Sequence, residues 1–386
     1  MRGFKFNGYK EGKYGVSIIY SEVPALVSAT FTKNRVKAHP VILCQELLKK
    51  KEKFRAIVVN SGNANCYTNG GMEDAKKMQE IVSKLLNIEK EDILVASTGV
   101  IGRKMPMDII EDRIKKAYER LKRGNNLEET AKAIMTTDTF PKYVVKKVGD
   151  VNIVGIAKGA GMIHPNMATM LCFVLTDVKI EKDELDNLLK EMVEKTFNRI
   201  SVDGDTSTND SVFIMANGLS NINYKEIKEE FDNALFEVFD TLARMIVKDG
   251  EGASKFMEVI VKGAKSKEDA EKACKSVINS LLVKTAVFGG DPNWGRILAA
   301  VGYSGADFNP EEIDIILKSG EEEVYLVKDG NVLADEGSEE LKKAEKLMKN
   351  KEITFIIDLK AGTFEDKAYG CDLTYEYVRI NSEYTT

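Results

Sequence analysis

Between Val151 and Val178 the chain reads as two apolar, β-rich segments separated by Lys158-Gly159-Ala160-Gly161-Met162-Ile163-His164-Pro165-Asn166-Met167-Ala168-Thr169, and no other stretch constrains the fold as much. Val151 to Ala157 and Met170 to Val178 have the composition of core strands. Gly159 and Gly161 can bend the connection, and Pro165 can stiffen it. Thr169 stands at the entrance of the second strand. The residues alone leave two readings open. In one, this is an ordinary turn and Thr169 simply opens a strand. In the other, the loop presents the Ala168 carbonyl to the Thr169 hydroxyl and the chain cuts itself there. A threonine freed in this way is a self-contained catalyst, because its own α-amino group can take the hydroxyl proton as the oxygen attacks a carbonyl. From reference values, roughly 14% of an α-amine is neutral at pH 7, against about 0.04% of a lysine.

The surrounding pattern alternates strands with amphipathic helices. Strands are expected at Arg55 to Val59, Asp92 to Ala96, Ser211 to Met215 and Glu258 to Lys262, with short ones around Ile313, Val324 and Ile353. Helical spacing covers Met72 to Asn87, Met107 to Leu121, Lys182 to Asn198, Lys225 to Ile246, Lys267 to Leu281 and Glu339 to Lys349. The fold class is therefore α/β (α+β), a layered mixed-sheet sandwich with helices, and 386 residues suit two or three core-forming units. No linker separates residues 1–168 from 169–386, so scission at Thr169 would divide one interwoven fold into two chains that stay together.

Several function classes fall away. A net charge of −5 without basic or acidic blocks gives no nucleic-acid surface. No apolar stretch is long enough to span a bilayer, and the first residues lack a signal-peptide core, so a cytoplasmic protein with a small-molecule partner is expected. The five cysteines include no CxxC pair and read as reduced core residues. With only His39 and His164, a His-rich metal site and an HExxH helix are impossible, and no metal is expected. Both histidines precede proline and read as loop residues. Asp203 to Asp210 begins like a calcium loop but has Thr208 and Ile214 where Gly and Glu belong. Neither GxGxxG nor GxxxxGK[ST] is complete.

Six motifs in order resemble the ornithine acetyltransferase family, also called glutamate N-acetyltransferase, of arginine biosynthesis. They are the run Lys158 to Leu171, Ser97-Thr98-Gly99-Val100-Ile101-Gly102, Met135-Thr136-Thr137-Asp138-Thr139, Asp249-Gly250-Glu251-Gly252-Ala253, Gly290-Asp291-Pro292-Asn293-Trp294-Gly295-Arg296 and Arg379-Ile380-Asn381-Ser382-Glu383-Tyr384-Thr385-Thr386. The resemblance covers essentially the whole chain. It implies autocleavage between Ala168 and Thr169, with Thr169 as nucleophile and Thr98 and Gly99 as the oxyanion-hole pair. It also implies substrate contacts from Thr137, Lys158, Thr169, Glu251, Asn381 and Thr386, the last two on an ordered, buried C-terminus.

The implied reaction is ping-pong transfer of acetyl from N-acetylornithine to glutamate through an acetyl-Thr169 ester, with no cofactor. The implied assembly is an α2β2 heterotetramer, with residues 1–168 as α chain and 169–386 as β chain. The alternatives are a bifunctional member that also uses acetyl-CoA, an N-terminal-nucleophile amidohydrolase or aminopeptidase in which water resolves the acyl-enzyme, and a non-catalytic binding protein that stays uncut.

Overall fold

The computed structural model describes residues 1–164 and 170–383. Two compact units emerge, one from Met1–Asn198 with Asp205–Ile246, the other from Arg199–Gly204 with the chain from Val247 onward.

An eight-stranded mixed sheet organises the first unit. Its strands are β1 (Phe4–Glu11), β2 (Tyr14–Phe31), β3 (Lys53–Ser61), β4 (Ile93–Ser97), β5 (Lys142–Val148), β6 (Val151–Lys158), β7 (Leu171–Thr176) and β8 (Ser211–Ala216). They run in the order β4-β3-β2-β8-β7-β6-β5, with β1 also on β2. β2 is long enough to pair twice, its first half with β1 and Leu26–Phe31 with β8. Its register with β3 slips between Tyr20 and Ala25, the stretch that holds Pro24, which has no N–H for a ladder. β6 and β7 are antiparallel neighbours from Ile153↔Thr176 to Lys158↔Leu171, as the two apolar segments require.

The helices of this unit are α1 (His39–Leu48), α2 (Gly71–Leu86), α3 (Met107–Arg123), α4 (Leu127–Ile134), α5 (Lys182–Lys195) and α6 (Lys228–Lys248). Their helical spacing puts one stripe inward, as in α3, where Ile110, Ile114, Ala117 and Leu121 are buried. Strand alternation assigns the two faces of the sheet. Val154 and Ile156 of β6 join the core shared with α1 to α4. Gly155 between them faces the other way, where an added Cβ would lie 2.6 Å from Val238 of α6.

The second unit carries β9 (Phe256–Ala264), β10 (Asp314–Ser319), β11 (Glu322–Lys328), β12 (Asn331–Val332), β13 (Glu352–Asp358) and β14 (Phe364–Cys371), ordered β12-β11-β10-β13-β9-β14. Its helices are α7 (Lys267–Asn279), α8 (Leu281–Gly289), α9 (Trp294–Gly302), α10 (Glu339–Leu347) and α11 (Tyr375–Glu383). Ala270, Ala273, Cys274, Val277 and Ile278 of α7 enter the core of this sheet.

The α/β reading with layered mixed sheets holds. One element corrects it: His39 and Pro40 open α1 rather than sitting in a loop. Proline is tolerated in a first helical turn because the N–H it lacks has no helical partner there. All five cysteines are free and buried, and burial pushes the Cys44 thiol up to about 12. Among the described residues no helix is long and apolar enough to cross a membrane.

Close packing of α4 on the sheet rests on Gly15 of β2, where a Cβ would fall 2.1 Å from the Ala133 carbonyl oxygen. Gly15→Val is expected to destabilise the protein by about 1–3 kcal/mol through overpacking, read as a lower denaturation midpoint. An unchanged midpoint would mean that α4 yields freely.

Candidate functional site

The end of β6 gathers the polar groups of the first unit. Lys158 is its last residue, on the same face as Val154 and Ile156, and is 8% exposed. Its Nζ donates to the hydroxyls of Thr98 (3.2 Å) and Thr136 (2.9 Å). Thr98 arrives from the end of β4, where its N–H bonds to the Asn60 carbonyl. The next residue must be glycine: Gly99 has φ +130, and a Cβ would lie 2.4 Å from the Gly62 carbonyl carbon. Thr136 belongs to the connection between α4 and β5.

A carboxylate that no sequence motif marks as functional organises this cluster. Asp138 Oδ1 accepts from Lys142 Nζ (2.7 Å) and from the Gly159 N–H (2.7 Å). Its Oδ2 accepts from the Thr136 N–H (3.0 Å) and lies 3.9 Å from Lys158 Nζ. Burial alone would raise this carboxyl, but the charges of Lys158 and Lys142, with the hydrogen bonds from Lys142 and the Thr136 N–H, outweigh it. Asp138 is held well below the usual carboxylate range.

The polar loop before β8 matches no complete motif. Here it grips both flanks of residues 165–169. Upstream, the Thr206 hydroxyl donates to the His164 carbonyl (2.9 Å) and Ile163 bridges to Thr206. Downstream, the Ser211 N–H donates to the Met170 carbonyl (2.9 Å). Asn209 Nδ2 donates to the carbonyls of Ala64 (2.6 Å) and Ser97 (2.8 Å), tying the loop to the strand end that carries Thr98. Asp210 is buried, and its Oδ2 has no hydrogen-bond partner among the described residues. Burial holds its carboxyl well above the ordinary range, against the opposing pull of the Ser207 hydroxyl and the Lys158 charge. The two aspartates of the site are thus shifted in opposite directions, Asp138 downward and Asp210 upward.

The sequence-predicted residues divide accordingly. Thr98, Gly99 and Lys158 converge in the first unit. Thr137 lies half-buried beside Thr136, and the hydroxyl that meets Lys158 is that of Thr136. In the second unit Glu251 Oε2 accepts from Asn381 Nδ2 (2.8 Å), with Asn381 on α11. Gly252 permits that approach, since at φ +68 a Cβ would lie 2.5 Å from the Tyr377 N. At Asn381 the structure departs from a buried C-terminus: α11, to Glu383, is ordered but has no buried residue, and hydrogen bonds such as Thr374 hydroxyl to Gly252 carbonyl (2.6 Å) hold its start. Ala168, Thr169 and Thr386 lie outside the described residues. Among the described residues no cluster of His, Cys, Asp or Glu could hold a metal ion.

The ArgJ family model matches residues 3–386. This chain belongs to the ArgJ family. A relative from Methanocaldococcus jannaschii, named glutamate N-acetyltransferase, is 66% identical over 100% of this chain and 97% of its own length. The arginine biosynthesis bifunctional protein ArgJ of Caldanaerobacter subterraneus is 52% identical over 99% of this chain and 95% of its own. Among solved structures, the arginine biosynthesis bifunctional protein ArgJ of Bacillus halodurans matches with TM-score 0.51 and 41% identity, covering 55% of this chain and 98% of its own. The ArgJ family member described here is accordingly one of a family of enzymes.

The two aspartates should respond oppositely to charge removal. Asp138 is held low, so its contribution is full at neutral pH and is lost only as acid protonates it. Asp138→Asn is expected to cost about 3–5 kcal/mol at pH 7, as for other broken buried pairs. Asp210 is held high, so the folded state keeps a proton that the unfolded chain releases above about pH 4. That costs stability at neutral pH and costs nothing in acid. Asp210→Asn should therefore raise the denaturation midpoint at pH 7, with the gain shrinking toward about pH 4. A loss at pH 7 would show that Asp210 is ionised.

Proposed function

We propose that the protein is a glutamate N-acetyltransferase of arginine biosynthesis that matures by cutting itself between Ala168 and Thr169. It then carries acetyl from N-acetylornithine to glutamate on the freed Thr169. The observation that carries this reading is the set of contacts on the residues flanking 165–169, His164 and Met170. Lys158 brings two hydroxyls to the strand end that precedes them, and the loop from Thr206 to Ser211 holds both. Anchored flanks suit self-cleavage, since intramolecular attack reaches effective molarities of ~10⁵–10⁸ M only in near-attack geometry.

Maturation begins when Thr169 Oγ adds to the Ala168 carbonyl. The amide nitrogen leaves with the hydroxyl proton, giving an ester. Water then returns a proton to Oγ and a hydroxyl to Ala168. In turnover the new α-amine takes the proton of Oγ as it attacks the acetyl carbonyl of N-acetylornithine, and passes that proton to the departing ornithine amine. The glutamate amine attacks the acetyl ester and the steps reverse.

Thr98 is suited to its proposed part in the oxyanion hole. The Lys158 ammonium can only donate, so Thr98 Oγ accepts from it and keeps its own hydrogen for a developing negative charge. Glu251 offers a carboxylate to the ornithine ammonium, and Asn381, Thr137 and Thr386 complete the proposed substrate contacts.

Sheet topology supports two chains that remain together, α from 1–168 and β from 169–386. β7 and β8 lie between β2 and β6, so the β product would keep hydrogen-bonded strands of the α product on both sides. The Bacillus halodurans chain covers just over half of this sequence, a share close to that of a chain starting at Thr169. Assembly as an α2β2 heterotetramer in the cytoplasm completes the reading, and native mass measures that assembly.

Denaturing mass spectrometry should find two fragments in the wild type and one 43.0 kDa chain without activity in Thr169→Ala. An active Thr169→Ala protein would sink the nucleophile assignment. Thr98→Ala is expected to mature and to lose about 10²–10³ in kcat, the usual loss for one oxyanion donor. Acetate formed from N-acetylornithine at the same rate with and without glutamate would mark a hydrolase instead.

A further inference from the structure

Lys10, on β1, reaches the same connection that Lys158 reaches from β6. Its ammonium donates to the Met135 carbonyl, while Lys158 donates to the hydroxyl of the next residue, Thr136. The two ammonium groups therefore flank a single peptide. Lys10 is half-buried, and its ammonium has three donors, of which Met135 takes one. Among the described residues it has no carboxylate within ion-pair distance. Asp138 acts on it through space only, its oxygens already engaged by Lys142, Gly159, Thr136 and Lys158. Burial lowers the Lys10 ammonium below its usual range, Asp138 works against this, and the Lys158 charge adds to it. A half-buried cation beside a second cation is relieved when an anion enters between them.

The proposed reaction, on which this inference rests, supplies a choice of anion. Donor and acceptor share an α-carboxylate, which one ammonium can serve. They differ in the side chain, cationic in N-acetylornithine and anionic in glutamate. We propose that Lys10 is a specificity-determining residue that receives the side-chain carboxylate of the acyl acceptor. It selects a dicarboxylic amino acid at the second half-reaction and contributes nothing to the first. A purely architectural role is the competing account, because a lysine on a carbonyl just past the end of α4 also caps that helix.

Full-length Lys10→Met and Lys10→Arg proteins separate these accounts. The first half-reaction is read as ornithine released from N-acetylornithine without acceptor, the second as transfer to glutamate or to glutamine, which lacks the second carboxylate. For Lys10→Met, kcat/KM for glutamate should fall about 10- to 100-fold, the range for losing a hydrogen bond to a charged group. Glutamine transfer and ornithine release should stay within about twofold, and Lys10→Arg should recover most of the glutamate preference. An equal fall with both acceptors, a slowed ornithine release or an unchanged glutamate rate would each overturn the proposal, the first two leaving Lys10 as a helix cap. Should the wild type itself release no ornithine, the underlying reading fails first, and that result is visible before any variant is compared.

Discussion

The Asp138 carboxylate is the contact on which the site depends. It binds the N–H groups of Gly159 and Thr136 and two lysine ammoniums, so it fixes both the end of β6 and the connection from α4. A buried carboxylate is costly unless its lone pairs are used, and here each oxygen is. What it secures is the placement of Lys158, and through Lys158 the orientation of two hydroxyls. The catalytic polarity proposed for Thr98 is therefore set one residue further back, by a group that need never touch a substrate.

Asp210 shows how differently one side-chain type behaves a short distance away. With no ion pair among the described residues, its buried carboxyl is pushed upward where that of Asp138 is held down. Environments that push two carboxyls apart are a common property of sites that handle protons, although buried structural pairs do the same.

Much of the first unit was legible in the sequence because its strands and helices announce themselves by period. β6, β7 and α3 follow directly from apolar runs and helical spacing. The helix at His39 was obscured because proline reads as a breaker until its position in a first turn is known. The site was legible only in part. Thr98, Gly99 and Lys158 stand out in motifs, but Asp138, Asn209 and Lys10 act through partners far away in the sequence, such as Asn209 on Ala64. No local pattern encodes such a pairing, and Asp138 is one polar residue among several in Thr136 to Thr139. The role of the loop before β8 needed the sheet order, which sets β8 beside β7 in parallel.

That sheet order has a consequence for how the protein can be lost and recovered. While the chain is continuous, β6 and β7 find each other by closing a short loop, a fast and concentration-independent event. Once the connection is cut, the same pairing becomes an encounter between two molecules, each presenting unpaired strand edges until it is met. In the proposed mature form, recovery from unfolding would slow on dilution and compete with edge-to-edge aggregation. Persistence would then rest on a slow rate of unfolding, with the folding information spent once, before the cut.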